Sequence, residues 1–126
     1  MKTKKVLIVD DEDDIREVAQ MSLELVGGWE VLAASSGDVA ARTAAVEQPD
    51  VILLDVMMPG LDGPQTLQLL RTDPETADIP VIFLTAKVQT SERRLLHDLG
   101  VQGLISKPFD PMTLADQVDQ LLAVVG

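Results

Sequence analysis

Four aliphatic runs limit what this chain can become: Val6-Leu7-Ile8-Val9, Val51-Ile52-Leu53-Leu54, Val81-Ile82-Phe83-Leu84 and the shorter Gly103-Leu104-Ile105-Ser106. A strand with one wet face alternates apolar and polar residues. An unbroken β-branched and aliphatic run instead reads as a strand buried on both faces, the habit of a parallel sheet. Each run leads into residues that can do chemistry: Asp10 and Asp11, Asp55, Thr85, and Lys107. In an open parallel sheet the carboxyl ends of the strands share one edge, where ligands bind. Three carboxylates, a hydroxyl and an ammonium from distant parts of the chain are therefore expected at a common rim.

Segments with helical periodicity separate the runs, and this alternation predicts an α/β domain. A length of 126 residues fits one domain spanning 1–126, with no linker, repeat or low-complexity tract. Asp13 is expected to cap a first helix with Ile15, Val18, Ala19, Ser22, Leu25 and Val26 inward, stopped by Gly27-Gly28. A second strand covers about Glu30 to Ala34. Ser36 should cap a helix through Val39, Ala40, Thr43, Ala44 and Val46, and Pro64 suits the first turn of a third helix reaching about Arg71. The proline-punctuated stretch 72–80 reads as a loop, and a fourth helix runs from about Ser91 to Leu99. Asp110-Pro111 should open a fifth helix with Leu114, Ala115, Val118, Leu121, Leu122 and Val125 inward. Five strands and five helices result, with helices wrapping both faces of the sheet.

The net charge of −11, from 21 acidic and 10 basic residues, repels nucleic-acid phosphates and anionic membrane surfaces. Only Trp29, Phe83 and Phe109 could stack on a base. No apolar stretch approaches the roughly 20 residues of a membrane span. Met1-Lys2-Thr3-Lys4-Lys5 leads straight into a strand without the apolar core of a signal peptide. The lack of cysteine leaves no disulfide framework or thiolate metal site. These features predict a cytoplasmic protein with no membrane insertion and no direct contact with nucleic acid.

The chemistry expected at the rim suits magnesium and a phosphoryl group. Mg2+ prefers oxygen ligands and typically takes one or two carboxylates plus phosphate oxygens. Asp10, Asp11 and Asp55 can supply such a site, completed by a backbone carbonyl just beyond Asp55. The simpler alternative for Asp10 and Asp11 is capping of a helix start, which favours acidic residues. No helix begins directly after Asp55, where Pro59-Gly60 marks a turn. A carboxylate there can attack phosphorus in line if a metal and a cation neutralise the transferring group, and Lys107 offers the cation.

Together, Asp10-Asp11, Asp55 followed by Met58-Pro59 and Asp62-Gly63, Thr85-Ala86, and Lys107-Pro108-Phe109 give a chain that resembles the receiver domain of two-component response regulators. The resemblance covers essentially the whole length. It implies a flavodoxin-like, doubly wound, five-stranded parallel sheet in the order 2-1-3-4-5. It further implies that Asp55 is the phosphoacceptor, served by a sensor histidine kinase or a histidine phosphotransfer protein. By the same likeness Asp10, Asp11, Asp55 and the backbone carbonyl of Met57 hold Mg2+, Lys107 contacts the phosphoryl group, and Thr85 swings towards it. The Lys107-Pro108 bond is implied to be cis. A receiver of this kind catalyses only its own phosphorylation and dephosphorylation, and a downstream protein target reads its conformation.

The sequence departs from the family pattern in one place. The aromatic residue often found three positions before the lysine is Leu104 here, so readout through an aromatic swing is not expected. Two further modulators are expected beside the reacting phosphorus: Met57, screening it from water, and Lys87, adding a second cation. His97 on the fourth helix reads as an exposed residue rather than a phosphodonor. Arg93 and Arg94 read as a partner-facing patch or as two solvated arginines. The main alternative is a phosphohydrolase of the haloacid dehalogenase type with Asp10 as nucleophile. Such an enzyme places its general acid two residues later, where Glu12 stands, and usually carries a cap domain for which this chain has no room.

Overall fold

The computed structural model describes residues 4–86 and 89–123. Its elements alternate as β1 (Lys5–Val9), α1 (Asp13–Leu25), β2 (Glu30–Ala34), α2 (Gly37–Glu47), β3 (Val51–Asp55), α3 (Gly63–Thr72), β4 (Val81–Thr85), α4 (Thr90–His97), β5 (Gly103–Ser106) and α5 (Leu114–Ala123). All strand pairs are parallel and the sheet order is β2-β1-β3-β4-β5, as the family likeness implied. Every residue of β3 and β4 is buried, and so is β1 beyond Lys5, because helices cover both faces.

Each face has its own core. Leu7, Val9, Ile52, Leu54, Val81 and Phe83 point to one side, packed against Ala40 and Ala44 of α2 and Leu67 and Leu70 of α3, with Leu96 of α4 and Leu104 at its margin. Val6, Ile8, Leu53, Ile82, Leu84 and Ile105 point to the other, against Ala19 and Leu23 of α1 and Leu114, Ala115 and Val118 of α5. The alternation of Cβ direction along each strand produces this division. None of the described helices is long and apolar enough to cross a membrane.

Local structure departs from the sequence reading at three points. In α1 the buried positions are Ala19, Ser22 and Leu23, while Val18, Leu25 and Val26 are exposed. The apolar positions of this helix allowed two neighbouring stripes, and packing against α5 and the sheet selects the one containing Leu23. Its N-cap is Glu12 rather than Asp13, and it makes no side-chain cap bond. Regular α5 begins at Leu114, not after Asp110, because 111–113 form a turn in which Asp110 Oδ1 accepts from the Met112 N–H. The expected cap of α2 is present, with Ser36 Oγ accepting from the Val39 N–H. The expected inward position Val125 and the modulator Lys87 lie outside the described residues.

Two glycines set close approaches. Gly63 opens α3 directly against the end of β3, where a Cβ would come within 2.7 Å of the Asp55 carbonyl oxygen. Gly37 opens α2 against α3, where a Cβ would overlap Thr66 Oγ1.

Candidate functional site

Strand register explains why the chemistry gathers. Val9 is level with Leu54, Asp55 with Leu84, and Thr85 with Ser106. Asp10 and Asp55 are therefore level, with Thr85 one residue and Lys107 two residues further along the carboxyl rim of β1, β3, β4 and β5. Carboxylate oxygens of Asp10, Asp11 and Asp55 all fall within 4.8 Å of one another, a group that could hold a metal ion. The Lys107-Pro108 peptide bond is cis.

Lys107 is the hub. Its Nζ lies 3.0 Å from Asp10 Oδ2 and 3.2 Å from Asp55 Oδ1, with Glu12 Oε1 at 4.0 Å. Its side chain is only 12% exposed, so it is not a solvated surface lysine. Its backbone N–H donates to the Thr85 carbonyl at 2.9 Å, tying the end of β5 to the end of β4. Burial alone would depress the ammonium's pKa. The hydrogen bond to Asp10 and the charges of Asp55 and Asp10 outweigh burial, and the pKa is raised.

The two buried aspartates differ. Asp10 Oδ1 accepts from the Glu12 N–H at 2.9 Å and Oδ2 accepts from Lys107, so both oxygens are engaged. The Asp10 backbone is held as well: its N–H donates to Ala34 O, and its carbonyl accepts from Arg16 Nη1 at 2.7 Å. Asp55 accepts from Lys107 and, at 3.4 Å, from the Met57 N–H, both through Oδ1. Its Oδ2 is buried with no hydrogen-bond partner among the described residues. Burial first, and the Asp10 charge second, push the Asp55 carboxyl from 3.8 up to about 6, against the lowering by Lys107. Such a group gains from any added positive charge.

Thr85 is buried at the end of β4, as a residue facing the rim from inside the sheet should be. Met57 is well exposed beside Asp55, a placement compatible with a residue bordering an incoming group. Leu104 is half-buried at the margin of the α2/α3 core. His97 is exposed, as expected. Arg93 is not simply solvated: its Nη1 donates to Ser106 Oγ at 3.1 Å, tethering α4 to the residue before Lys107. Sequence reading missed Arg16 altogether. Its only sequence signal is a basic residue in the otherwise acidic opening of α1.

Comparison with known proteins agrees with this geometry. The family model described as the response regulator receiver domain matches residues 6–119. The alkaline phosphatase synthesis transcriptional regulatory protein PhoP of Bacillus subtilis is 39% identical over 94% of this chain and 48% of its own length. The phosphate regulon transcriptional regulatory protein PhoB of Pseudomonas aeruginosa is 38% identical over 100% of this chain and 55% of its own. This chain thus spans about half the length of the curated relatives it matches. The chemotaxis protein CheY4 of Vibrio cholerae superposes with a TM-score of 0.86 at 30% identity, covering 95% of this chain and 99% of that one. A rim built from these strand ends, on this strand order and with relatives of this kind, means that the chain belongs to the response regulator receiver domain family.

Proposed function

We propose that this chain is a single receiver domain over 1–126 that works as a phosphorylation-controlled switch, with Asp55 accepting a phosphoryl group from a histidine of a sensor kinase or phosphotransfer protein. The observation that carries the reading is the asymmetry of the buried aspartates: Asp10 has both oxygens engaged, whereas Asp55 Oδ2 has no hydrogen-bond partner among the described residues. Attack by Asp55 forms a P–O bond as the donor's P–N bond breaks, leaving an acyl phosphate and a free imidazole. The same asymmetry speaks against a haloacid-dehalogenase-type hydrolase with Asp10 as nucleophile.

The donor set fits a small, hard cation: all ligands are oxygens, and Asp55 has a buried oxygen left over and a raised pKa. Asp10, Asp11, Asp55 and the Met57 carbonyl would hold Mg2+, which supplies positive charge to the transferring group. Lys107, with Nζ 3.2 Å from Asp55 Oδ1, would contact a phosphoryl group on Asp55. Thr85 would turn its hydroxyl towards the same group. Two charge-assisted hydrogen bonds contribute roughly 3–6 kcal/mol. Carrying an equilibrium from 1:99 to 99:1 needs about 5.5 kcal/mol, so phosphorylation can throw the switch with little to spare. A downstream protein target that prefers one form sharpens the response. Met57 screens the acyl phosphate from water. The chain acts in the cytoplasm and catalyses no reaction beyond its own phosphorylation and dephosphorylation.

The test is incorporation of label from radiolabelled acetyl phosphate, with and without Mg2+, in the parent and in Asp55→Asn. Magnesium-dependent labelling of the parent and none of the variant is expected. Equal labelling of both proteins, or label recovered on Asp10, defeats the assignment.

A further inference from the structure

Arg16 is the one basic residue in α1, whose sequence DDIREVAQMSLEL is otherwise neutral or acidic. It stands near the helix N-terminus, the end at which the helix dipole disfavours a cation. The helix dipole therefore does not explain it, and neither does solvation, because its side chain is only 19% exposed. The guanidinium folds back onto the segment that leads into the helix. Nη1 donates to the Asp10 carbonyl at 2.7 Å, and Nη2 pairs with Asp13 Oδ1. The Arg16 N–H also donates to Glu12 O at 3.0 Å, so backbone and side chain together clasp the segment from Asp10 to Asp13.

The Asp10 carbonyl belongs to the peptide that joins Asp10 to Asp11, two of the three clustered carboxylates. With its N–H held by Ala34 and its carbonyl held by Arg16, Asp10 cannot turn about its backbone, and the direction in which Asp11 leaves is set. We propose that Arg16 is a positioning residue for the cation site, fixing the spacing of the Asp10 and Asp11 carboxylates through the Asp10 carbonyl. A bidentate guanidinium is needed, since an ammonium is a point charge and cannot span both partners. Asp13 offsets the guanidinium's charge, which would otherwise oppose an incoming cation. This inference rests on the reading of Asp10, Asp11 and Asp55 as a Mg2+ site.

Calorimetric titration of Mg2+ and of Ca2+ into unphosphorylated parent, Arg16→Lys, Arg16→Gln and Asp13→Asn proteins tests it. Mg2+ demands near-ideal octahedral geometry whereas Ca2+ tolerates irregular sites, so loosening the carboxylates should penalise Mg2+ selectively. Loss of an outer partner of this type typically costs 10- to 100-fold in metal affinity. Mg2+ binding should weaken about tenfold or more in both Arg16 variants, with Ca2+ binding changed less. Asp13→Asn should have a smaller effect. The lysine variant keeps the charge and guards against a glutamine variant that fails to fold. Mg2+ binding as tight as or tighter than the parent's in Arg16→Gln overturns the proposal, because the guanidinium would then act only as a repelling charge. An unchanged ratio of Mg2+ to Ca2+ affinity overturns it too. A parent that binds no Mg2+ at all would instead overturn the reading of the acid cluster.

Discussion

Replacing Asp55 with asparagine should make the metal-free protein more stable at neutral pH, although it removes the proposed phosphoacceptor. The reason lies in the pKa of Asp55, pushed from 3.8 up to about 6 chiefly by burial and then by Asp10. A carboxyl whose folded pKa exceeds its unfolded one costs stability once it ionises. That cost is complete above about 6 and disappears below 3.8. At ~1.36 kcal/mol per pH unit, the gap corresponds to about 3 kcal/mol at neutral pH. For a domain of this size that is roughly a 10 °C rise in Tm for the variant. Part of the gain is lost because Lys107 gives up one of its carboxylate neighbours, although Asp10 remains at 3.0 Å. Urea unfolding of parent and Asp55→Asn, in the presence of a chelator and across pH 4 to 8, checks the argument. The variant's advantage should shrink as pH falls. Saturating Mg2+ should reverse it, since a ligand at a hundredfold its Kd stabilises the folded state by about 2.7 kcal/mol and the variant has lost a ligand. A variant less stable than the parent without metal, or an advantage that does not change with pH, refutes the reasoning.

Other expectations concern separate parts of the molecule. Lys107→Met removes the charge that lowers the Asp55 pKa, so in a chelator the pH at which the Asp55 stability cost becomes complete should move upward from about 6; an unmoved urea-stability profile would show that Lys107 does not control Asp55 ionisation. Met57→Asn should shorten the lifetime of the phosphorylated protein by replacing an apolar neighbour with one that can orient water, and label retention after removal of the donor measures it. Thr66 is fully buried and its hydroxyl has no hydrogen-bond partner among the described residues, so Thr66→Val should raise the urea midpoint by the equivalent of about 1 kcal/mol without changing the slope. Gly37→Ala should cost about 1–3 kcal/mol by overpacking against Thr66, and distinctly less in a Thr66→Ala background; additive losses would dissociate the two residues.

The strands and the gathering of the rim residues were legible because burial on both faces forces unbroken aliphatic runs, and such runs mark their own ends. Asp55, Thr85 and the position after Ser106 were located by where a run stopped, and parallel register did the rest. Sheet order was not legible from periodicity and came only through family likeness. The inward face of α1 was misread because Val18, Leu25 and Val26 form as plausible a stripe as Ala19 and Leu23, and only contacts with α5 and the sheet decide between them. The helix start was misread because Asp10, two residues upstream, takes the Glu12 N–H. Arg16 escaped because its partner is a backbone carbonyl six residues away, outside the helix, and no side-chain spacing encodes it. The twofold grip of Lys107 on Asp10 and Asp55 was likewise invisible, since the pattern identified a cation without saying which acids it would join.

That the rim draws one residue or pair from each of four strands has a consequence for how the pocket is lost. No contiguous peptide of this chain contains it, and no single hairpin or helix could rebuild it. Fraying of a loop at the opposite edge of the sheet leaves the acids, the hydroxyl and the amine in place, whereas separation of β1, β3, β4 and β5 scatters them. Cation affinity in this protein is therefore a reporter of whether β1 and β3 stay side by side, and partially opened forms of the molecule should be deaf to the signal rather than constitutively on.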